Sequence, residues 1–200
     1  MPKVDFKKIH KKFFNPPEAR VVEEDIPRFR YLMVDGEGAP GGQAYMDAIA
    51  TLYPVAYTLK FALKPEHDFT IGPLETLWWH DTPGGFLISD PSQWKWTAMI
   101  IVPDFVTAEH LAAAIDSVRS KGKPAPLLDR VRLDSLDEGR SVQIMHIGPY
   151  ETEPATIHRL HDYITDNGLT LRGRHHEIYL SDPRATAPDR LKTVIRQPVH

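Results

Sequence analysis

The chain has 200 residues, 42% of them hydrophobic and 26% charged, and 24 Lys and Arg against 27 Asp and Glu give a net charge of −3. This balance suits a globular domain with a buried core and argues against nucleic-acid binding, which shows a basic stripe or a high pI. The absence of cysteine excludes disulfides, thiolate nucleophiles and zinc–thiolate sites, and no apolar run approaches the ~20 residues that span a bilayer or builds a signal-peptide core, so a cytoplasmic protein with no membrane partner is expected.

The chain opens on its one basic run: Lys3, Lys7, Lys8, Lys11 and Lys12 alternate with Phe6, Ile9, Phe13 and Phe14. This reads as a short amphipathic helix that packs its aromatics on the body and leaves its lysines in water. Residues 19–24, a turn at Asp25-Ile26-Pro27 and residues 29–34 then read as a hairpin running into Gly36-Glu37-Gly38. A helical stripe follows over residues 44–60, with Tyr45, Ile49, Leu52 and Ala56 on one face and a kink or break expected at Pro54. Strands are expected at residues 74–79 and 97–102, the second stopped by Pro103.

A helix over residues 108–120, capped by Thr107 and stopped by Gly122, leads into Lys123-Pro124-Ala125-Pro126, a short stiff linker. The first pattern then returns. Residues 129–136 and 141–147 form a second expected hairpin, running into Gly148-Pro149-Tyr150. A helix over residues 153–167 carries Ile157, Leu160 and Ile164, with Thr152 as N-cap and Gly168 as stop. Strands close the chain at residues 176–180 and 192–197, before Pro198. Gly38 answers Gly148, Glu75 answers Glu177 and Pro103 answers Pro198.

The expected fold class is therefore α+β, two pseudo-symmetric strand–helix–strand–strand modules forming one domain over residues 1–200. The first half covers about 19–105, the linking helix about 107–122 and the second half about 127–200. Each half alone is thin for burying a sheet on both faces, so the halves are expected to pair around a ligand cleft.

Strand alternation sets Glu177, Tyr179 and Ser181 on one face and Ile178 and Leu180 on the other. With the apolar pair under the helices, a carboxylate and a phenol face the cleft, and Glu75, Leu77 and Trp79 take the matching face of the first half. Such a glutamate is either a base raised by desolvation or an acid that is solvated or structurally hydrogen-bonded. Trp78, Trp79, Trp94 and Trp96, with Phe86 between them, offer flat walls for a planar or cationic guest, or are simply core. His175 and His176 are neighbours on a strand and cannot share an ion, and neither His146 nor the His158/His161 pair completes a metal signature, so no metal is expected.

The runs Ala44-Tyr45 to Leu59-Lys60, Pro73-Leu74-Glu75 to Trp78-Trp79, Trp94-Lys95-Trp96-Thr97, Gln143 to Tyr150, His175 to Arg184 and Leu191 to Val199 resemble the GyrI-like small-molecule-binding family. Within it they are similar to a stand-alone branch that includes cyclopropanoid cyclopropyl hydrolases. The resemblance implies a tandem SHS2 fold around an acidic residue with aromatic walls and a small hydrophobic or planar aromatic ligand. It also implies hydrolysis of spirocyclopropyl-dienone DNA-alkylating compounds without a cofactor. The family's Glu-x-Tyr strand maps onto Glu177 and Tyr179 as catalytic residues. Glu75, Trp78, Trp79, Phe86, Trp96, Met99, His146 and Tyr150 form the candidate ligand-binding set. The alternatives are non-catalytic sequestration of hydrophobic or cationic drugs and a protein-binding modulator, for which no partner is indicated.

Overall fold

The computed structural model describes residues 3–82, 90–122 and 124–200. Lys123 of the expected linker and Phe86 of the expected aromatic wall lie outside the described residues. The chain has a mixed α+β fold and divides into two compact units. Unit 1 comprises Met1–Ile9 and Phe29–Leu136, and unit 2 comprises His10–Arg28 and Asp137–His200.

Unit 1 contains α1 (Phe6–Ile9), β2 (Phe29–Glu37), α3 (Gln43–Leu63), β3 (Leu74–Trp79), β4 (Lys95–Val102), α4 (Ala108–Ser120) and β5 (Arg132–Leu136). Its antiparallel sheet runs β3-β4-β2-β5. Unit 2 contains α2 (Lys11–Phe14), β1 (Val22–Ile26), β6 (Gly139–Ile147), α5 (Glu153–Asp166), β7 (His175–Tyr179) and β8 (Lys192–Pro198). Its antiparallel sheet runs β1-β6-β8-β7.

Neither expected hairpin forms. β1 pairs with β6 and β5 with β2, so the repeats exchange their first strands. Local sequence cannot distinguish this from a hairpin, because each strand keeps its alternation whichever edge it joins. The N-terminal amphipathic segment also divides. Phe6 packs edge-on against Phe29 at 5.9 Å in unit 1, while α2 buries Phe13 and Phe14 in unit 2.

The helices follow their stripes. In α3, Tyr45, Leu52, Val55, Ala56 and Leu59 are buried against Leu32, Val34, Trp78, Trp96, Ala98 and Ile100 of the sheet. Of the kink or break expected at Pro54, the break does not occur: α3 runs from Gln43 to Leu63 with Pro54 inside it. α4 has the expected bounds and a reciprocal cap, with the Thr107 hydroxyl accepting from the His110 N–H and His110 Nδ1 accepting from the Thr107 N–H. Thr107→Ala should cost about 1 kcal/mol of stability, measurable by denaturant titration. Among the described residues no helix is long and apolar enough to cross a membrane.

The units repeat one another in fixed register. Gly38 N–H donates to Trp94 O at 2.8 Å, and Gly148 N–H to Leu191 O at 3.0 Å. Counting from these anchors, the row Gly36–Trp96–Trp78 of unit 1 corresponds to His146–Thr193–Tyr179 of unit 2, and Val34–Ala98–Thr76 to Ile144–Ile195–Glu177. Glu75, in the row with Met99 and Met33, therefore answers His176 and not Glu177. The sequence match was one residue out of step, and one residue reverses the face.

The face of unit 2 away from α5 carries a buried polar network. Arg196 Nη1 donates to Glu138 Oε2 at 2.8 Å, and its Nη2 to Phe13 O at 2.9 Å. His176 Nδ1 lies 2.9 Å from Glu138 Oε1, and Gln143 accepts from Arg196 Nε while donating to Lys12 O. Burial alone would raise the Glu138 pKa, but the charges and hydrogen bonds of His176 and Arg196 outweigh it and hold the carboxyl at about 2. A depressed carboxyl stabilises the fold above its unfolded pKa and loses that contribution as pH falls through its folded one. Roughly 3 kcal/mol should therefore disappear between about pH 4.5 and pH 2. Glu138→Ala, which strands Arg196 in the interior, should cost about 3–5 kcal/mol at neutral pH and flatten that acid limb in urea titrations.

Candidate active site

Between α5 and its sheet, unit 2 gathers a cluster of ionisable side chains. Glu177 shares its row with Ile195 and Ile144, which pack under Ile157, Leu160 and Ile164 of α5. The expectation that Ile178 faced the helix is thus reversed: Glu177 and Tyr179 lie on the helix-bearing face, because cross-strand partners project to the same side. Tyr179 Oη donates to Glu177 Oε2 at 2.6 Å, and His175 Nε2 lies 3.1 Å from Glu177 Oε1. His175, Glu177 and Tyr179 alternate along β7 and so share that face. Both Glu177 oxygens are held.

Glu153 enters from above, as the first residue of α5. It is only 6% exposed, and Glu177 8%. Burial pushes the Glu153 pKa up first, and the negative charge of Glu177 pushes it further; the hydrogen bond to Thr193 pulls the other way without prevailing. The result, about 9, lies well above the ordinary carboxylate range and favours the neutral acid at physiological pH. Its Oε1 is buried and has no hydrogen-bond partner among the described residues. Burial and the charge of Glu177 thus favour the protonated form of Glu153, an arrangement in which one carboxyl can donate a proton and its neighbour accept one.

Tyr150 closes the outer edge. Its ring meets Tyr179 edge to face at 5.9 Å between centroids, and it is partly open to solvent. Burial, then the charges of Glu153, Glu177 and Asp182, push its phenol up to about 12, so it stays a neutral donor. Thr152 takes the expected N-cap position of α5, but its side chain makes no capping hydrogen bond. A 3-10 turn over Tyr150–Thr152 precedes α5, and the Thr152 hydroxyl turns to Pro149 O at 2.8 Å. His146 is fixed by Thr156 Oγ1 at 2.9 Å and by Pro149 O at 3.2 Å, which orients the turn that carries Tyr150.

The corresponding space in unit 1 is closed by tryptophan. Trp96 and Trp78 pack on Tyr45 at 5.2 and 5.1 Å, and Tyr45 Oη meets Thr76 Oγ1 at 2.7 Å. Gly36 leaves room for the Trp96 indole, which a Cβ there would strike. Gly36→Ala should therefore destabilise unit 1 by about 1–3 kcal/mol through overpacking, a fall in Tm of roughly 2–4 °C per kcal/mol in a scanning calorimeter. Unit 2 has Thr193 where unit 1 has Trp96, and Tyr179 where it has Trp78. The smaller and more polar pair leaves the place to Glu177 and Glu153.

The remaining candidates fall in unit 1. Trp78, Trp96 and Met99 are buried, and Trp79 is partly exposed at the end of β3. Glu75 is buried on the sheet face away from α3, where Tyr31 donates to its Oε2 at 3.3 Å. Glu177, Tyr179, Tyr150 and His146 are brought together in unit 2, whereas Glu75, Trp78, Trp79, Trp96 and Met99 belong to the other unit. Two members of the cluster escaped sequence reasoning. His175 could have been found, since it stands two residues before Glu177 on the same strand. Glu153 carried no signal, because an acid in a first helical turn is ordinary. Among the described residues no group of three or more His, Asp and Glu has the geometry to hold a metal ion.

Comparison with known proteins adds to this geometry. The family model described as GyrI-like small molecule binding domain matches residues 20–200. An uncharacterized conserved protein of Listeria innocua is 39% identical with a TM-score of 0.92, covering 99% of this chain and 100% of its own. Two further Listeria innocua structures, each described as a hydrolase, are 38% identical, with TM-scores of 0.86 and 0.88. They cover 99% and 100% of this chain and all of their own. No curated protein matches the chain.

Proposed function

The chain belongs to the GyrI-like small-molecule-binding family, and from that premise we propose that it is a cofactor-independent hydrolase whose reaction is centred on Glu177, Tyr179 and Glu153 in unit 2. The observation that carries this reading is the pair of buried carboxyls, one held by Tyr179 and His175 and the other pushed towards its neutral form by burial and by the charge of the first. The hydrolase relatives at 38% identity support it.

The substrate class is an electrophile whose strained ring opens into an aromatic product, of the spirocyclopropyl-dienone type. Glu177 takes a proton from water as its oxygen attacks the least hindered ring carbon. A carbon–carbon bond of the cyclopropane breaks, and its electron pair moves into the dienone, which becomes a phenolate. Glu153 supplies the proton that converts phenolate to phenol, and neutral Tyr150 donates a hydrogen bond to the growing negative charge. The proton gained by Glu177 restores Glu153, so water has been added and the pair is unchanged. Tyr179 and His175 orient Glu177, and the Tyr150 and Tyr179 rings supply apolar contact to a planar substrate.

The test is incubation of the purified protein with a spirocyclopropyl-dienone in ¹⁸O-enriched water. The expected result is many equivalents of phenol product per protein, each carrying one solvent oxygen in its mass. Stoichiometric binding without product would instead favour sequestration. That second reading draws on the single negative charge of the pair beside two aromatic rings, a setting that also suits a cation.

A further inference from the structure

One face of α3 is apolar and points away from the unit 1 core. Met46, Tyr57 and Phe61 are 49%, 46% and 63% exposed, Ala50 is exposed, and Tyr53 and Pro54 are half-buried. Spacings of 4, 3, 4 and 4 residues put Met46, Ala50, Tyr53, Tyr57 and Phe61 on one helical stripe. The three rings are ordered along it, Tyr53 to Tyr57 at 6.4 Å and Tyr57 to Phe61 at 6.3 Å between centroids. Singly exposed apolar residues are ordinary, but a continuous aromatic ridge on a surface helix marks an interaction site.

The stripe is complementary to itself. Its C-terminal half is bulky and its N-terminal half is slender. When a second α3 is laid antiparallel across it about a point between Tyr53 and Pro54, Phe61 faces Met46, Tyr57 faces Ala50 and Tyr53 faces Pro54. Each large ring then meets a smaller or more pliable side chain, as ridges into grooves require. Both ends close with uncharged or single-charge residues, Gln43 opposite Lys64, so no like charges oppose each other. A two-fold axis makes such a contact isologous and closed.

We propose that the chain forms a two-fold homodimer through antiparallel packing of α3 against α3 of a second copy, in the register that sets Tyr57 opposite Ala50. Two rings of about 150–250 Å² each, roughly half exposed, together with half-buried Tyr53 and the exposed parts of Met46 and Ala50, offer at most roughly 500 Å² per copy. Two copies then cover at most roughly 1,000 Å², the size of a weak, reversible interface. Phe61 and Tyr57 are the anchors, and their stacking fixes their rotamers before association, so little side-chain entropy is lost.

The absence of native cysteine makes the register directly testable. The expected result is sedimentation of the wild-type protein at twice the chain mass and of Tyr57→Glu at the single-chain mass with an unchanged circular dichroism spectrum. An equimolar mixture of Ala50→Cys and Tyr57→Cys should form an intermolecular disulfide on mild oxidation, whereas Ala50→Cys alone should not. In a dimer of Ala50→Cys alone the two introduced thiols would be about 10 Å out of step, seven residues at about 1.5 Å each, beyond the about 7 Å between Cα atoms that a disulfide spans. A wild-type chain that sediments alone at its highest soluble concentration overturns the proposal. So does a Tyr57→Glu protein that stays dimeric, or cross-linking of Ala50→Cys alone as efficient as that of the mixture.

Discussion

Glu177→Gln is expected to lower turnover of a spirocyclopropyl-dienone by about 10²–10⁴-fold, the range that a positioned general base contributes. The amide keeps the size of the carboxylate and can still accept from Tyr179, whose hydroxyl now lies 2.6 Å from Oε2. What it loses is the capacity to take a proton from water. Binding of a neutral substrate analogue should change little, so the effect should fall on kcat more than on KM. Tyr179→Phe separates base from orienter. It leaves the carboxylate in place with one fewer hydrogen bond, and a smaller loss is expected, carried by misorientation of Glu177. Comparable rates for Glu177→Gln and wild type would remove Glu177 from the mechanism.

Glu153→Gln is expected to make the protein more stable near neutral pH and less active. The folded state holds a proton on Glu153 up to about pH 9, whereas the unfolded chain releases it near 4.5. Between those values the folded state binds more protons than the unfolded one, so stability falls as pH rises. At pH 7 the accumulated cost is on the order of a few kcal/mol, at about 1.4 kcal/mol for each pH interval above the unfolded value. Glutamine is neutral throughout, so the substitution should recover on the order of 2–3 kcal/mol at pH 7, more at pH 8 and almost nothing near pH 4. For a chain of this length that is a rise in Tm of roughly 5–10 °C. Turnover should fall by about 10²-fold, since the amide has no acidic proton to give to the phenolate. In the proposed reaction Glu153 would both destabilise the fold and supply a proton, a familiar compromise at active sites. The opposite stability change, or none at any pH, would mean that Glu153 is ionised in the folded protein.

Much of the fold was legible in the sequence because periodicity and caps are local. The stripes of α3, α4 and α5 and the bounds of β3 and α4 follow from spacing alone, and the two-module order follows from their repetition. The strand exchange was not legible, since β1 reads identically beside β2 or β6 and its choice of partner is made by the tertiary fold. The identity of the face bearing Glu177 was misread for a related reason. Ile178 is apolar and buried, which fits a position under a helix, yet the helix side of β7 carries Glu177 and Tyr179, and Ile178 is buried on the other. Both faces of this strand are covered, so alternation in polarity no longer reports which one meets α5. The off-by-one match of Glu75 with Glu177 came from comparing residue types without the register that Gly38 and Gly148 supply. Glu153 stayed hidden because its protonation depends on burial and on Glu177, a neighbour 24 positions along the chain.

The division of one pseudo-repeat into a closed and a polar unit follows from three positions. Gly36, Trp96 and Trp78 fill the space in unit 1, and His146, Thr193 and Tyr179 leave it to the carboxyl pair in unit 2. The proposed mechanism requires that this pair hold one proton on Glu153 at the pH where the protein works. The most direct measurement is a carboxyl-carbon NMR titration of protein labelled with ¹³C at the glutamate side chains. One resonance, absent from Glu153→Gln, should remain at its protonated position through neutral pH and move with a midpoint near pH 9. If every glutamate carboxyl is already ionised at neutral pH, the donor and acceptor roles assigned to Glu153 and Glu177 are contradicted.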